Sequence, residues 1–435
     1  MKMHKILLHV LFFYIAFAAM VSGVFAQSSI TSPYSRFGIG ELAPQYNLRS
    51  SAMGGISQGI VGSAGINFAN PASYAAFDSL SFLFDAAMTG SFNTLRSDVE
   101  KDRSSTAAIN YITMGMPVAK RCRIAFGLIP ISSIGYNIYN IIEKEDLPKG
   151  GESTGRQFNF FTGEGSFDKA FLGASFKVSK GVAIGLNVGY MFGNSNYVRT
   201  ISFDTLAVRT TKITNKVYVN GLTLEPSIQY YLPLSNKDRM TFGATYNVQN
   251  SIKAENDFLV RSMIGGDGNN QGSYPDTIDR DIVKGNLKLP ASFKIGFSYA
   301  RPDKFLMGAD FYWTNWSQYS MLGQEHNLSN TWGVSIGGEF TPNNKLSAKY
   351  FQRTVYRAGF KTQQSLFEFE GEKVNLYAFS FGMGLPLPRS KTMINLYFEG
   401  GTKGKTTPPL IQDNYFKIGA GLSLHEMWFY KRQYK

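Results

Sequence analysis

The sequence predicts an all-β protein: a transmembrane up-and-down antiparallel β-barrel of about 14 strands, with an N-terminal plug in the lumen. Three observations lead there. The chain opens with an export signal, its long segments alternate apolar and small or polar residues with period 2, and its connections alternate short and long.

Lys2 and Lys5 precede an apolar run from Ile6 to Val21, and Val24-Phe25-Ala26 supplies the small residues a signal peptidase needs. Residues 1–26 read as a signal peptide cleaved after Ala26, in preference to a permanent transmembrane helix. No cysteine lies at that site, so the chain is not a lipoprotein. Cys122 is the single cysteine, which excludes an internal disulfide and a thiolate metal cluster. Aromatic residues reach 14%, glycines number 44 and charged residues only 17%, while no later apolar run is long enough for a spanning helix. An exported, aromatic-rich and glycine-rich chain of this kind has the profile of an outer-membrane barrel.

Residues 27–78 come next. The stretch from Arg49 to Asp78 holds Gly54, Gly55, Gly59, Gly62 and Gly65 within a dozen residues and lacks strict alternation. So few large side chains cannot offset the entropy of ordering the segment alone. It needs a container, and residues 79–430 are expected to supply one.

Alternation begins near Leu80. The fifth strand shows it plainly: Val182, Ile184, Leu186, Val188 and Tyr190 alternate with Gly181, Ala183, Gly185, Asn187 and Gly189. A face of Gly and Ser with charges such as Lys417, Glu225 and Asp310 suits a polar lumen behind a lipid-facing wall. Strand starts fall near Leu80, Ser105, Cys122, Asn159, Gly181, Lys216, Asp238, Asn286, Asp303, Leu328, Asn343, Glu372, Lys391 and Asn414. Tight turns are read at Ala119-Lys120-Arg121, Ser179-Lys180, Arg301-Pro302-Asp303, Pro342-Asn343-Asn344 and Arg389-Ser390, among others. Longer polar connections are read at 96–104, 139–158, 195–215, 261–285, 318–327, 358–371 and 400–413. A β-sandwich has no reason to keep that alternation. It places the protein in a Gram-negative outer membrane with both termini on the short-turn, periplasmic rim.

The formal charge is +13, or +11 once Lys2 and Lys5 leave, and its excess sits on the short-turn rim. Lys120, Arg121, Arg123, Lys177, Lys180, Arg239, Lys304 and Lys391 gather there, followed by a basic tail, residues 431–435, with Lys431, Arg432 and Lys435. Two readings stay open: anchoring to phospholipid phosphates with Trp428, Phe429 and Tyr430 as a girdle, or docking of an acidic periplasmic or outer-membrane protein. Nucleic acid is not an expected partner of an exported chain.

Chemistry has few candidates. His326 and His425 are the histidines left after the signal, and neither has a ligand-spaced neighbour. No G-x-S-x-G elbow or Walker sequence occurs, and no Lys follows the Gly cluster at 54–65. A non-enzyme without cofactor or metal is expected.

Four short motifs resemble those of the FadL-type outer-membrane transport family, which includes PorV-like members. Ala52-Met53-Gly54-Gly55 followed by Asn70-Pro71-Ala72 is similar to that family's N-terminal hatch. Leu289-Pro290-Ala291-Ser292, Trp313-Thr314-Asn315-Trp316-Ser317 and Arg357-Ala358-Gly359-Phe360 resemble later motifs, with Asn315 standing where the family usually has Asp. The resemblance implies a barrel of about 14 strands and passive uptake of a hydrophobic small molecule, fatty-acid-like or aromatic. It also implies gating by the hatch and sideways exit at a kinked third strand, for which Gly127 and Pro130 are the candidates. Pro130 could equally end that strand at the rim. The Gly-, Asn- and Asp-rich stretch at 261–285 departs from the apolar outer loops that resemblance would require. An interaction subunit of a secretion or barrel-assembly machine, docking through the basic rim, is the alternative.

Overall fold

The computed structural model describes residues 32–427, apart from positions 63, 99, 144–154, 205–207, 236–237, 265–272, 326–327, 370 and 389. The signal peptide, Trp428–Tyr430 and the basic tail with Lys431, Arg432 and Lys435 therefore lie outside the described residues, as do Lys237, His326 and Arg389.

Fourteen antiparallel strands close on themselves. They are β1 Ser81–Arg96, β2 Lys101–Pro117, β3 Cys122–Ile142, β4 Gln157–Lys177, β5 Val182–Phe203 and β6 Thr210–Pro233. Next come β7, Arg239–Asn247 resuming as Asn250–Ile264, and β8, Ser273–Leu289 resuming as Ser292–Arg301. The circuit ends with β9 Phe305–Thr314, β10 Thr331–Phe340, β11 Val355–Phe369, β12 Glu372–Pro386, β13 Met393–Lys403 and β14 Gln412–Met427. The ladder between β14 and β1, from Met427 opposite Ser81 to Gln412 opposite Arg96, completes the ring. Closure leaves no sheet edge at that seam, the condition for strands to cross hydrocarbon.

Alternation explains which face meets lipid. On β5, Ile184, Leu186, Val188, Tyr190 and Phe192 are 37–46% exposed, whereas Ala183, Asn187 and Met191 are at most 2% exposed. Apolar side chains point out and mixed ones point in, the reverse of a soluble sandwich.

Several expected boundaries need correction. The stretch at 261–285 is mostly strand, since β7 runs to Ile264 and β8 starts at Ser273 rather than Asn286. The same holds at 195–215 and 358–371. A span needs about ten residues, and the 21–24 residues of β3 to β6 therefore project well past it. Above the bilayer both faces of a hairpin are wet, so the apolar alternation stops and Asn, Thr and Gly read as loop. The eleventh strand begins at Val355, not Asn343, so Pro342-Asn343-Asn344 is no tight turn. Residues 341–354 instead form a longer short-rim connection containing one helical turn, Tyr350–Arg353. Finally, β14 ends on the short-turn rim, but Ser32, the first described residue, donates its N–H to Gly135 O at 3.2 Å, far up β3. The described part of the N-terminal segment thus starts well along β3 from the short-turn rim, and residues 27–31 lie outside the described residues.

Residues 32–78 are mostly buried against inner-wall side chains. Near the long-connection end Tyr34, Ile39, Trp316, Tyr319, Leu366 and Leu410 join one apolar cluster. Leu48, Phe68, Tyr74, Phe77, Tyr111 and Phe171 belong to a second, and Met53, Ile56 and Ile60 meet Ala300 and Leu306 in a third.

Candidate functional site

The lumen-facing segment is held by polar groups as well as packing. Asn47 caps the single turn Leu48–Ser51, its Oδ1 accepting from Ser50 N at 3.0 Å. That turn aims Arg49 at the wall. Arg49 Nε lies 3.0 Å from Glu339 Oε2, and Arg357 Nε lies 3.1 Å from the same oxygen. Arg357 also donates to Asn395 Oδ1 at 2.7 Å. One carboxylate on β10 thus bridges two buried guanidiniums, one from the segment and one from β11.

Two aspartates hold backbone. Asp310 Oδ2 accepts from Ser57 N at 2.6 Å, Gln58 N at 2.9 Å and Ser57 Oγ at 3.1 Å. Asp85 accepts from Ile66 N at 3.2 Å, Tyr111 Oη at 3.1 Å and Ser423 Oγ at 3.1 Å. Glu225, paired with Lys169, accepts from Asn187 Nδ2, which also donates to Phe68 O at 3.1 Å. Charge-assisted bonds to N–H groups are among the strong ones; those of Asp310 and Asp85 tie the segment to β9 and β1, and the amide of Asn187, itself held by Glu225, ties it to β5.

The segment's motif residues sit at its closest approaches. Asn70 Oδ1 accepts from Ala72 N at 3.1 Å and its Nδ2 donates to Gln58 O at 3.0 Å, which folds the chain back on itself. Pro71 opens a short 3-10 helix, Pro71–Ala76, where its missing N–H costs nothing. Ala72 N also donates to Ser227 Oγ at 2.8 Å. Gly54 and Gly55 have φ of +71° and +95°, which favour glycine, and a Cβ on Gly54 would come within 2.6 Å of Phe360 O. Wall glycines answer from the other side: a Cβ on Gly185 would overlap Pro71 and Ala72, one on Gly243 Gln58, and one on Gly359 Met53 and Gly54.

Gly127 and Pro130 lie in the middle of β3, so Pro130 does not end the strand at the rim. The ladder between β2 and β3 pairs only residues 112–117 with 123–128 and stops there. A register shift against β4 falls between Pro130 and Ser132. Beyond it the N-terminal segment takes β2's place: Glu41 and Leu42 pair with Ser133 and Ser132, Ala43 N donates to Ile131 O at 2.9 Å, and Gln45 Nε2 donates to Pro130 O at 2.7 Å. The edge of β3 from Pro130 to Ser133, which β2 leaves unpaired, is thereby covered. The sequence signal for this was Pro130; nothing in it pointed to Gln45 as the partner.

A cavity of about 340 Å³ remains in the lumen, lined by apolar Ile129, Leu224 and Phe311 and by charged Lys294, Asp310 and Lys417. Among the described residues no three His, Cys, Asp or Glu side chains gather as metal ligands.

A model of the BamG family matches residues 3–435. The chain belongs to the BamG family. No curated protein matches it. Solved structures share its fold at low identity. A FadL homologue of Pseudomonas aeruginosa matches this BamG-family chain at 13% identity and a TM-score of 0.59, covering 89% of this chain and 99% of its own. The toluene transporter TodX of Pseudomonas putida matches at 17% and 0.58, covering 89% and 99%. The toluene transporter TbuX of Ralstonia pickettii matches at 13% and 0.56, covering 88% and 98%. This BamG-family protein is therefore an outer-membrane β-barrel of FadL-like architecture.

Proposed function

We propose that this BamG-family barrel is a non-transporting, non-catalytic subunit that holds partners in an outer-membrane secretion or barrel-assembly machine. In this reading residues 27–78 are a fixed plug, and the short-turn rim faces the periplasm and docks the partner. The carrying observation is the way the lumen is filled: three apolar clusters and the bridge from Glu339 to Arg49 and Arg357 occupy it. A gate has to move cheaply, whereas opening this segment leaves a buried carboxylate and guanidinium apart, at about 3–5 kcal/mol for one such pair. Purification from native membranes in mild detergent, followed by mass spectrometry of proteins and lipids, tests it. A stoichiometric protein partner is expected. A barrel that comes alone with a bound hydrophobic molecule sinks the proposal.

One observation favours a second reading, a passive channel for hydrophobic small molecules. The cavity is lined by Ile129, Ile131, Ala43 and Gln45, so it reaches the point on β3 where the ladder to β2 stops. An amphiphile leaving sideways past Pro130 would take that route. Uptake of a radiolabelled aromatic hydrocarbon that is unchanged by loss of the protein would remove this alternative.

A further inference from the structure

The short-turn mouth of the barrel holds a cavity of about 600 Å³, lined by Arg123, Lys177, Lys180 and Arg239 together with Asp78 and Asp238. Both carboxylates are already committed to cations that do not line it. Asp238 is forked by Arg301, at 2.7 and 3.0 Å, and that guanidinium holds its carboxyl below the usual range. Asp78 meets Lys391 Nζ at 2.7 Å and His425 Nε2 at 3.0 Å. Among the described residues, no carboxylate pairs with any of the four lining cations. Arg123 is 8% exposed and gives one bond, to Lys120 O at 2.7 Å, while its Nε is buried without a partner; Arg239 Nε is in the same position.

Orientation decides what can reach them. On β3, Arg123 shares its face with fully buried Ala125, and on β7, Arg239 shares its face with Thr241, 1% exposed. Lys177 follows inward Ser175 at the end of β4. These side chains therefore line the inside of the mouth, behind the wall, where a bilayer phosphate on the lipid side does not reach. Lys120 and Arg121, exposed at the tip of the β2–β3 turn, remain free to meet lipid. The basic rim is thus two surfaces rather than one.

We infer that the mouth between Arg123, Lys177, Lys180 and Arg239 is a docking site for an acidic peptide segment of a partner protein. The inference rests on the scaffold reading above and names its contact surface. Two guanidinium groups and two flexible ammonium groups around one mouth suit successive Asp or Glu side chains, each taking a charge-assisted bond. The open end admits a chain from solution, and Phe77 and Tyr231 supply an apolar floor.

The test uses the full chain in detergent and, separately, in phospholipid nanodiscs, titrated with fluorescent hexaglutamate and with hexalysine. Hexaglutamate should bind saturably and hexalysine should not. Arg239→Gln combined with Lys177→Gln and Lys180→Gln should weaken binding about tenfold or more. Lys345→Gln with Lys349→Gln, on the rim outside the mouth, should leave it unchanged. Heat-modifiable electrophoretic mobility confirms that each variant is folded. Arg123 is left intact because it also braces the β2–β3 turn. Absence of saturable binding overturns the site, and so does equal loss in the Lys345/Lys349 control. Displacement by inorganic phosphate as effective as by peptide would reassign it to small anions. Native-membrane pull-down separates the two claims. A partner retained by the triple variant refutes the site and spares the scaffold reading, whereas hexaglutamate binding at these residues with no native partner does the reverse.

Discussion

Replacing Glu339 by alanine should release the lumenal segment without unfolding the wall. Glu339 bridges Arg49, on the segment, and Arg357, on β11. Without it, Arg357 keeps Asn395 at 2.7 Å, but Arg49 loses the bonds recorded for its guanidinium. Removing one member of a buried pair costs about 3–5 kcal/mol. Glu339 retains 16% side-chain exposure, so solvent screening favours the lower end, about 3 kcal/mol. If that cost falls on local opening, the open population rises roughly a hundredfold, at about 1.4 kcal/mol per tenfold. Ser51 is 5% exposed and two residues from Arg49. Maleimide labelling of Ser51→Cys, in a Cys122→Ser background, should therefore accelerate by about that factor in Glu339→Ala. Arg49→Met should be milder, because Glu339 then keeps Arg357. Labelling as slow in Glu339→Ala as in the parent, or faster in Arg49→Met, would refute the assignment of this carboxylate as the segment's bolt.

Three further outcomes are expected. Asp310→Ala strands the N–H groups of Ser57 and Gln58, each worth about 1.5–3 kcal/mol to a charged acceptor, and should lower the temperature at which the folded electrophoretic band is lost. Gly359→Val drives a side chain into Met53 and Gly54 and should reduce the yield of folded barrel, whereas Gly400→Ala, with no atom within 4 Å of its added Cβ, should fold normally. Deleting residues 27–78 should raise conductance in planar bilayers; a deletion barrel that folds yet stays closed would mean that the wall and its connections seal the lumen unaided.

How far the sequence reveals this molecule depends on what surrounds each residue. Strands inside the bilayer are plain, because lipid demands Ile184, Leu186 and Val188 on one face and the lumen tolerates almost anything on the other. Beyond the bilayer that demand ends, and β7 and β8 dissolve into what looks like a polar loop at 261–285. The connection at 341–354 misleads in another way: Pro342-Asn343-Asn344 has turn chemistry, but Lys345-Leu346-Ser347 after it continues a false alternation. Asn70-Pro71-Ala72 is recognisable because its role is local, a cap and a first-turn proline. Glu339 is not, since its partners lie 290 and 18 residues away and only the closed barrel brings them together. The two populations of rim cations, Arg123 inside the mouth and Lys120 and Arg121 outside it, lie only two or three residues apart and become distinct only once the register is known.

The close fit between wall glycines and the lumenal segment bears on how the molecule is made. Gly185, Gly243 and Gly359 each touch backbone of residues 53–72, leaving no clearance to thread the segment through a finished cylinder. Its own β-bridge to Ser132 and Ser133 also occupies the place a wall neighbour would take. Ring closure is the pairing of the first strand with the last, Ser81 with Met427. The segment emerges before either strand, so the wall has to be laid down around it. A wall assembled around the segment accounts for this fit, since the segment's polar bonds to β3, β9, β10 and β12 link strands on opposite stretches of the ring.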